Sequence, residues 1–285
     1  MKEYKIGGKK INIAEEDWDF LIVLDACRYD TFLEVYRDIL GDVGELKKAI
    51  SPASWTMEWL NKQFSGRYDD VIYVSANPYI NSGKEITHHG LSYDGREHFS
   101  KVIDVWKDWD EKLGTVPPVN VNKKFHTTYM KNPDKRFILH YLQPHRPYIS
   151  LGGGESTLLE AKNKLEGDEK ADDEKTFSKT VGGALTEIQA WNLKKLLKKE
   201  PSSTEEEFYR KHGKKGMKEI YKLEVELVLK YVKMLVESIS GKWIITADHG
   251  ERICSFWDHY SHNGRHDRAV TEVPYLVIDT TKKSK

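Results

Sequence analysis

The chain has 285 residues, 39% of them hydrophobic and 32% charged, which is enough apolar content for a sizeable core and too much for a disordered chain. Its 45 lysines and arginines balance 45 aspartates and glutamates, so bulk charge offers nothing to hold a nucleic acid or another polyanion. Two cysteines, Cys27 and Cys254, lie far apart and outside any CxxC arrangement, which argues against a disulfide framework and a cysteine-built zinc site.

Residues 1–20 carry Lys2, Lys5, Lys9 and Lys10 but no apolar signal region. No later segment reaches the ~18 uninterrupted apolar residues of a membrane span. The expectation is a cytoplasmic protein, neither exported by a standard signal nor membrane-spanning.

The first element is the apolar run Phe20 to Leu24, the pattern of a parallel strand covered on both faces, and it stops at Asp25. Next comes SPASWTMEWLNKQF, a helix-compatible stretch in which Ser51 or Ser54 can serve as N-cap. Further strands are predicted at Val71 to Ser75, ended by Asn77 and Pro78, and at Phe137 to Leu142, ended by Gln143, Pro144 and His145. A fourth runs from Trp243 to Thr246 and ends at Asp248 and His249; a fifth is TEVPYLVID.

Between the third and fourth strands, Ile220, Leu223, Leu227, Tyr231 and Leu235 recur at helical spacing. Alternating helices and buried strands predict an α/β fold with a doubly wound, mostly parallel sheet and helices on both faces. Residues 1–285 are expected to form a single domain. It carries a charged helical insertion at about 150–216, either a cap over the site or a solvated pair of surface helices.

In open α/β sheets, functional groups gather beyond the carboxyl ends of the strands. Here those ends read Asp25, Asn77, His145 and Asp248 with His249. Taken singly, Asp25 could cap the next helix, His145 could be a loop residue, and His262 and His266 could be surface residues. Asp248 and His249 are harder to absorb, because polar groups at the tip of a buried run incur a desolvation penalty unless paired or ligating. Two carboxylates and an imidazole brought together point to a divalent metal. Mixed carboxylate and imidazole donors suit Zn²⁺ or Mn²⁺.

Four blocks, VLDACRYD, SPASWTMEW, YLQPHRPY and TADHGE with the following YSHNGRHDRAVTEVPYLV, together resemble the alkaline phosphatase and sulfatase superfamily of metal-dependent phosphoryl and sulfuryl transfer enzymes. The resemblance implies an alkaline phosphatase-like fold. It makes Asp25, Asp248 and His249 ligands of one metal ion and Ser54 both nucleophile and ligand, with Thr56 the rival nucleophile in a shifted register. His145 matches the substrate-contacting or second-metal histidine of the PHxPF block, and His262 the late ligand position, with His266 the alternative. The sulfatase signature C-x-P-S-R is missing, and the aspartate that holds a second zinc in the pyrophosphatase branch has no clear match. One or two ions are therefore expected.

A hydroxyl at a helix N-terminus is placed to receive phosphate, with Arg28, Asn77 and His266 as candidate substrate contacts. The expected activity is metal-dependent hydrolysis of phosphate mono- or diesters through a covalent phosphoserine or phosphothreonine, on a small-molecule, glycan or lipid phosphate ester. The alternatives are a phosphotransferase acting on a glycan or lipid, its acceptor cleft lined by DVWKDWDEKLG and the insertion, a sulfatase-like ester hydrolase without formylglycine, and a non-catalytic metal-binding module.

Overall fold

The computed structural model describes residues 3–154, 156, 158–167, 187–253 and 267–281. Its strands are β1 (Tyr4–Ile6), β2 (Lys9–Ile11), β3 (Phe20–Leu24), β4 (Glu45–Ile50), β5 (Tyr68–Ser75), β6 (Ile86–His88), β7 (Leu91–Tyr93), β8 (Phe99–Asp104), β9 (Arg136–Tyr141), β10 (Lys242–Thr246) and β11 (Glu272–Asp279). The helices are α1 (Tyr29–Leu40), α2 (Thr56–Gln63), α3 (Gly95–His98), α4 (Pro118–Tyr129), α5 (Leu159–Glu166), α6 (Glu187–Leu196), α7 (Thr204–Ser238) and α8 (Arg268–Thr271). Within the 150–216 stretch the described residues form α5, α6 and the first turns of α7.

One mixed sheet organises these elements, in the order β2-β1-β4-β11-β10-β3-β9-β5-β8. The neighbours β10, β3, β9, β5 and β8 run parallel, and β11, β4, β1 and β2 extend one edge by antiparallel pairing. The parallel centre is the part that hydropathy foresees, because β3 is buried throughout and β9 and β10 nearly so. The antiparallel edge escapes it. Glu45–Ile50, reading ELKKAI, is mostly exposed and is held as a strand by its register with β11. β6 and β7 form a separate hairpin.

Helix α7 occupies the predicted place, and of its expected stripe Ile220 and Leu235 are buried. Val225, Val228, Val232 and Leu235 are buried with Met217 and Tyr221, whereas Leu223 is 45% exposed. Leucines and valines occupy more than one face of this helix, so periodicity admits two stripes, and packing against α1 chooses between them. Near its start the helix bends at Gly213, whose φ of 62° is open to glycine at little steric penalty. The serines expected to cap α2 do not: the N-cap is Trp55, with no side-chain cap bond. Among the described residues no helix is long and apolar enough to cross a membrane.

Trp243 is fully buried on β10 and stacks on Phe20 of β3 with ring centroids 4.2 Å apart. Trp243→Ala should destabilise the fold by about 3–5 kcal/mol, the range for truncating a large core aromatic, as read from urea denaturation.

Candidate active site

The carboxyl ends of four adjacent parallel strands, β10, β3, β9 and β5, form the floor of the site. Asp25 follows β3, Asn77 follows β5, and Asp248 and His249 follow β10. Asp25 emerges through a sharp turn in which Ala26 has φ 59°, a region that disfavours an L side chain by about 1–3 kcal/mol. Three bonds hold that turn. Ala26 N donates to Asp248 Oδ1 at 3.2 Å, Tyr221 Oη to Ala26 O at 2.6 Å, and Arg28 N to Tyr221 Oη at 2.9 Å.

The Asp248 side of the site is anchored as firmly. His249 N donates to Asp248 Oδ1 at 2.9 Å, and Ser51 Oγ donates to the Asp248 carbonyl. Gly250 follows because the chain passes against the segment entering β11: a Cβ there would lie 2.3 Å from Ala269 O. Asp25, Asp248 and His249 are all buried, and one ligand atom from each lies within 4.8 Å of the others. His249 Nε2 is 3.6 Å from Asp25 Oδ1 and 3.4 Å from Asp248 Oδ2.

These residues fit a divalent cation by three observations. Asp25 Oδ1 is buried without a hydrogen-bond partner. His249 Nδ1 lies 2.8 Å from Gly250 O and so carries the proton, which leaves the Nε2 lone pair facing the carboxylates. The Asp25 carboxyl is pushed well above the usual carboxylate range, first by burial and then by the charges of Asp248 and Glu251, with partial relief from Asn77. A cation would remove that repulsion.

The structure sorts the two candidate hydroxyls. Thr56 Oγ1 donates to Asp248 Oδ2 at 2.7 Å and accepts from Asn77 Nδ2 at 3.3 Å, while Asn77 Nδ2 also reaches Asp25 Oδ2 at 2.9 Å. Thr56 is the first residue of α2. Ser54 donates from both Oγ and N to Glu58 Oε2, at 3.0 and 2.7 Å. That carboxylate also pairs with Lys62, so Glu58 ties the backbone and hydroxyl of Ser54 to the first turn of α2.

His145 is 6% exposed, and its Nδ1 lies 2.6 Å from Arg146 O. Burial, with a contribution from His249, lowers its pKa to about 4, so the ring is neutral at neutral pH. Arg28 Nη1 donates to Glu251 O at 2.9 Å, and its Nε and Nη2 bond to Asp30; its guanidinium ties the Asp25 turn to the segment after His249. His262 and His266 lie outside the described residues.

One residue escaped the sequence reading. His140, fully buried inside β9, has Nδ1 2.8 Å from Tyr73 Oη and Nε2 3.8 Å from Asp25 Oδ2. Burial lowers its pKa to about 4. Its signal was available: an imidazole inside the apolar run Phe137 to Leu142 poses the same desolvation problem as Asp248.

No protein-family model matches the chain, and no curated protein matches it. Among solved structures it is similar to the integral membrane protein lipooligosaccharide phosphoethanolamine transferase A from Neisseria meningitidis, with 15% identity, a TM-score of 0.56, and coverage of 96% of this chain and 49% of that one. The chain thus spans about half the length of that protein. It is also similar to the soluble domain of the same transferase (13% identity, TM-score 0.49, 96% and 79% covered). A third likeness is to the zinc complex of the C-terminal periplasmic domain of EptC from Escherichia coli (11%, 0.48, 95% and 76%). At these identities the likeness is one of fold alone, an α/β fold shared with the phosphoethanolamine transferase.

With Asp25 raised above its unfolded value near about 3.9, its protonated form favours the fold. That contribution is present below the unfolded value and is lost as pH rises through the raised one. In chelator at neutral pH, Asp25→Asn should therefore melt at least about 2 °C above the wild type, and the gap should close towards pH 4, as read by circular dichroism.

Proposed function

We propose that the chain is a phosphoryl-transfer enzyme that cleaves phosphate mono- or diesters through a covalent phosphothreonine on Thr56. The observation that carries this reading is the 2.7 Å hydrogen bond from Thr56 Oγ1 to Asp248 Oδ2, beside the buried group of Asp25, Asp248 and His249. A divalent cation held by those three side chains would supply Lewis acidity and positive charge, the requirements of phosphoryl transfer. The mixed donor set favours Zn²⁺ or Mn²⁺.

Thr56 Oγ1 attacks phosphorus in line with the ester oxygen. The new O–P bond forms as the ester P–O bond breaks, and the leaving alkoxide takes its proton from solvent water. The threonine proton already has an acceptor in Asp248 Oδ2. Phosphoryl oxygens meet the N–H groups that open α2 and the Asn77 amide, 3.3 Å from the attacking oxygen. Neutral His145 takes the proton of the water or alcohol that resolves the phosphothreonine. Ser54, bonded to Glu58, steadies the helix that carries the nucleophile.

A second reading, transfer of a phospho-alcohol group to a glycan or lipid acceptor, is favoured by the fold shared with a phosphoethanolamine transferase. It uses the same first half-reaction and replaces water with an alcohol.

Four experiments test the proposal. After chelation, release of p-nitrophenol from mono- and bis-p-nitrophenyl phosphate should cease, and Zn²⁺ or Mn²⁺ should restore it. Thr56→Ala should then lose at least about 10³-fold in kcat, while Ser54→Ala stays within about tenfold. Peptide mass spectrometry of quenched wild type should find the phosphoryl adduct on Thr56; the reverse ranking of the two variants, or an adduct on Ser54, overturns the assignment. Glycerol added as acceptor separates the readings by how the phosphoryl group partitions: a transferase places most of it on glycerol, whereas a hydrolase releases mainly inorganic phosphate.

A further inference from the structure

Helix α6 is apolar on two opposite sides. Ile188 and Trp191, 2% and 4% exposed, face inward, and Trp191 lies 5.4 Å from the Tyr209 ring of α7. Leu193, Leu196 and Leu197 are 41%, 79% and 56% exposed. Leu197 N still donates to Leu193 O at 2.9 Å, so at about 100° per residue these three leucines share one side, roughly opposite Ile188 and Trp191. A helix apolar on both sides has a second surface to bury.

The surroundings of the leucines are basic. Lys194, Lys195, Lys198 and Lys199 interleave with them, and Lys195 Nζ and Arg210 Nη1 bridge α6 and α7 through Arg210 O and Lys199 O. Between residues 187 and 218 there are nine lysines and arginines against five glutamates, in a chain whose net charge is zero. Glu206 and Glu207 answer Lys194 and Lys211, whereas Lys198, Lys199, Lys214 and Lys215 are exposed.

We propose that this arm, α6 with the first turns of α7, docks on an anionic lipid bilayer, the leucines entering the interface and the lysines meeting its headgroups. Apolar side chains flanked by lysines on a surface helix are the pattern of interfacial binding. A second copy of the chain fits worse, because joining two such patches would bring their lysines together. The arm also reaches the active site: Arg146, next to His145, pairs with Glu205 at 3.4 Å. The docking proposal stands without the catalytic reading, and its test uses no ester turnover.

The test is co-sedimentation of the full chain with vesicles of phosphatidylcholine alone or of equal parts phosphatidylcholine and phosphatidylglycerol. The mixed vesicles should bind at least about tenfold more tightly, and the difference should vanish near about 0.5 M NaCl. Leu196→Glu with Leu197→Glu, and separately Lys198→Glu with Lys199→Glu, should each weaken binding about tenfold or more while leaving the circular-dichroism melt unchanged. Equal binding to both vesicle types, no binding by the wild type, or variants that bind as well as the wild type overturn the proposal. So does a leucine-dependent dimer in sedimentation velocity without vesicle binding.

Discussion

The structure is organised by the burial of two carboxylates, Asp25 and Asp248, side by side at the ends of neighbouring parallel strands. Like charges in a low-dielectric interior repel, and each also loses its hydration. The surrounding protein answers with directed donors: Asn77 to Asp25, Thr56, Ala26 and the His249 amide to Asp248. One oxygen of Asp25 is left without a donor, and the His249 lone pair faces the same space. Protein groups alone leave that oxygen unanswered, so the arrangement suits an additional positive charge.

Precision at this point comes from the scaffold around it. Tyr221 of α7 clamps the Asp25 turn, and Ser51 holds the Asp248 carbonyl. Tyr4 Oη donates to Ala247 O at 2.8 Å and accepts from Trp59 of α2, tying β1 and α2 to the strand tip that carries Asp248. The edge strand and the helix bearing Thr56 are thereby registered against the same backbone. A hydroxyl can hold a 2.7 Å bond to one carboxylate only if the helix supporting it cannot slide, and Ser54 with Glu58 supplies that fixity at the helix start.

Shared fold and shared chemistry are separate matters, because one fold hosts many unrelated functions. The sheet supplies the convergence of strand ends. Around those ends this chain places the neutral His145 and His140, the Arg146–Glu205 link, and a basic arm with exposed leucines. The arm turns at Gly213, whose positive φ breaks the helical path.

The parallel centre of the sheet and the polar residues at its strand ends were legible in the sequence. Burial on both faces demands uninterrupted apolar runs, so a carboxylate or imidazole ending such a run stands out. Asp25, Asn77, Asp248 and His249 were found this way, before any distance was known. The antiparallel edge was not legible, since Glu45–Ile50 is a strand through its partners rather than its own hydropathy. Nor was the buried stripe of α7, where two faces carried similar apolar patterns.

Residue types and their order therefore determined that acidic and imidazole groups would gather at one sheet edge beside the segment that carries Ser54 and Thr56 into a helix. Which hydroxyl faces Asp248, and that His140 joins the group from inside a strand, only the tertiary structure decided. The physical reason is that Ser54 lies before α2 and Thr56 opens it, with Trp55 extended between them, so the direction of each hydroxyl is set by contacts with Glu58 and Asp248 that spacing along the chain leaves open.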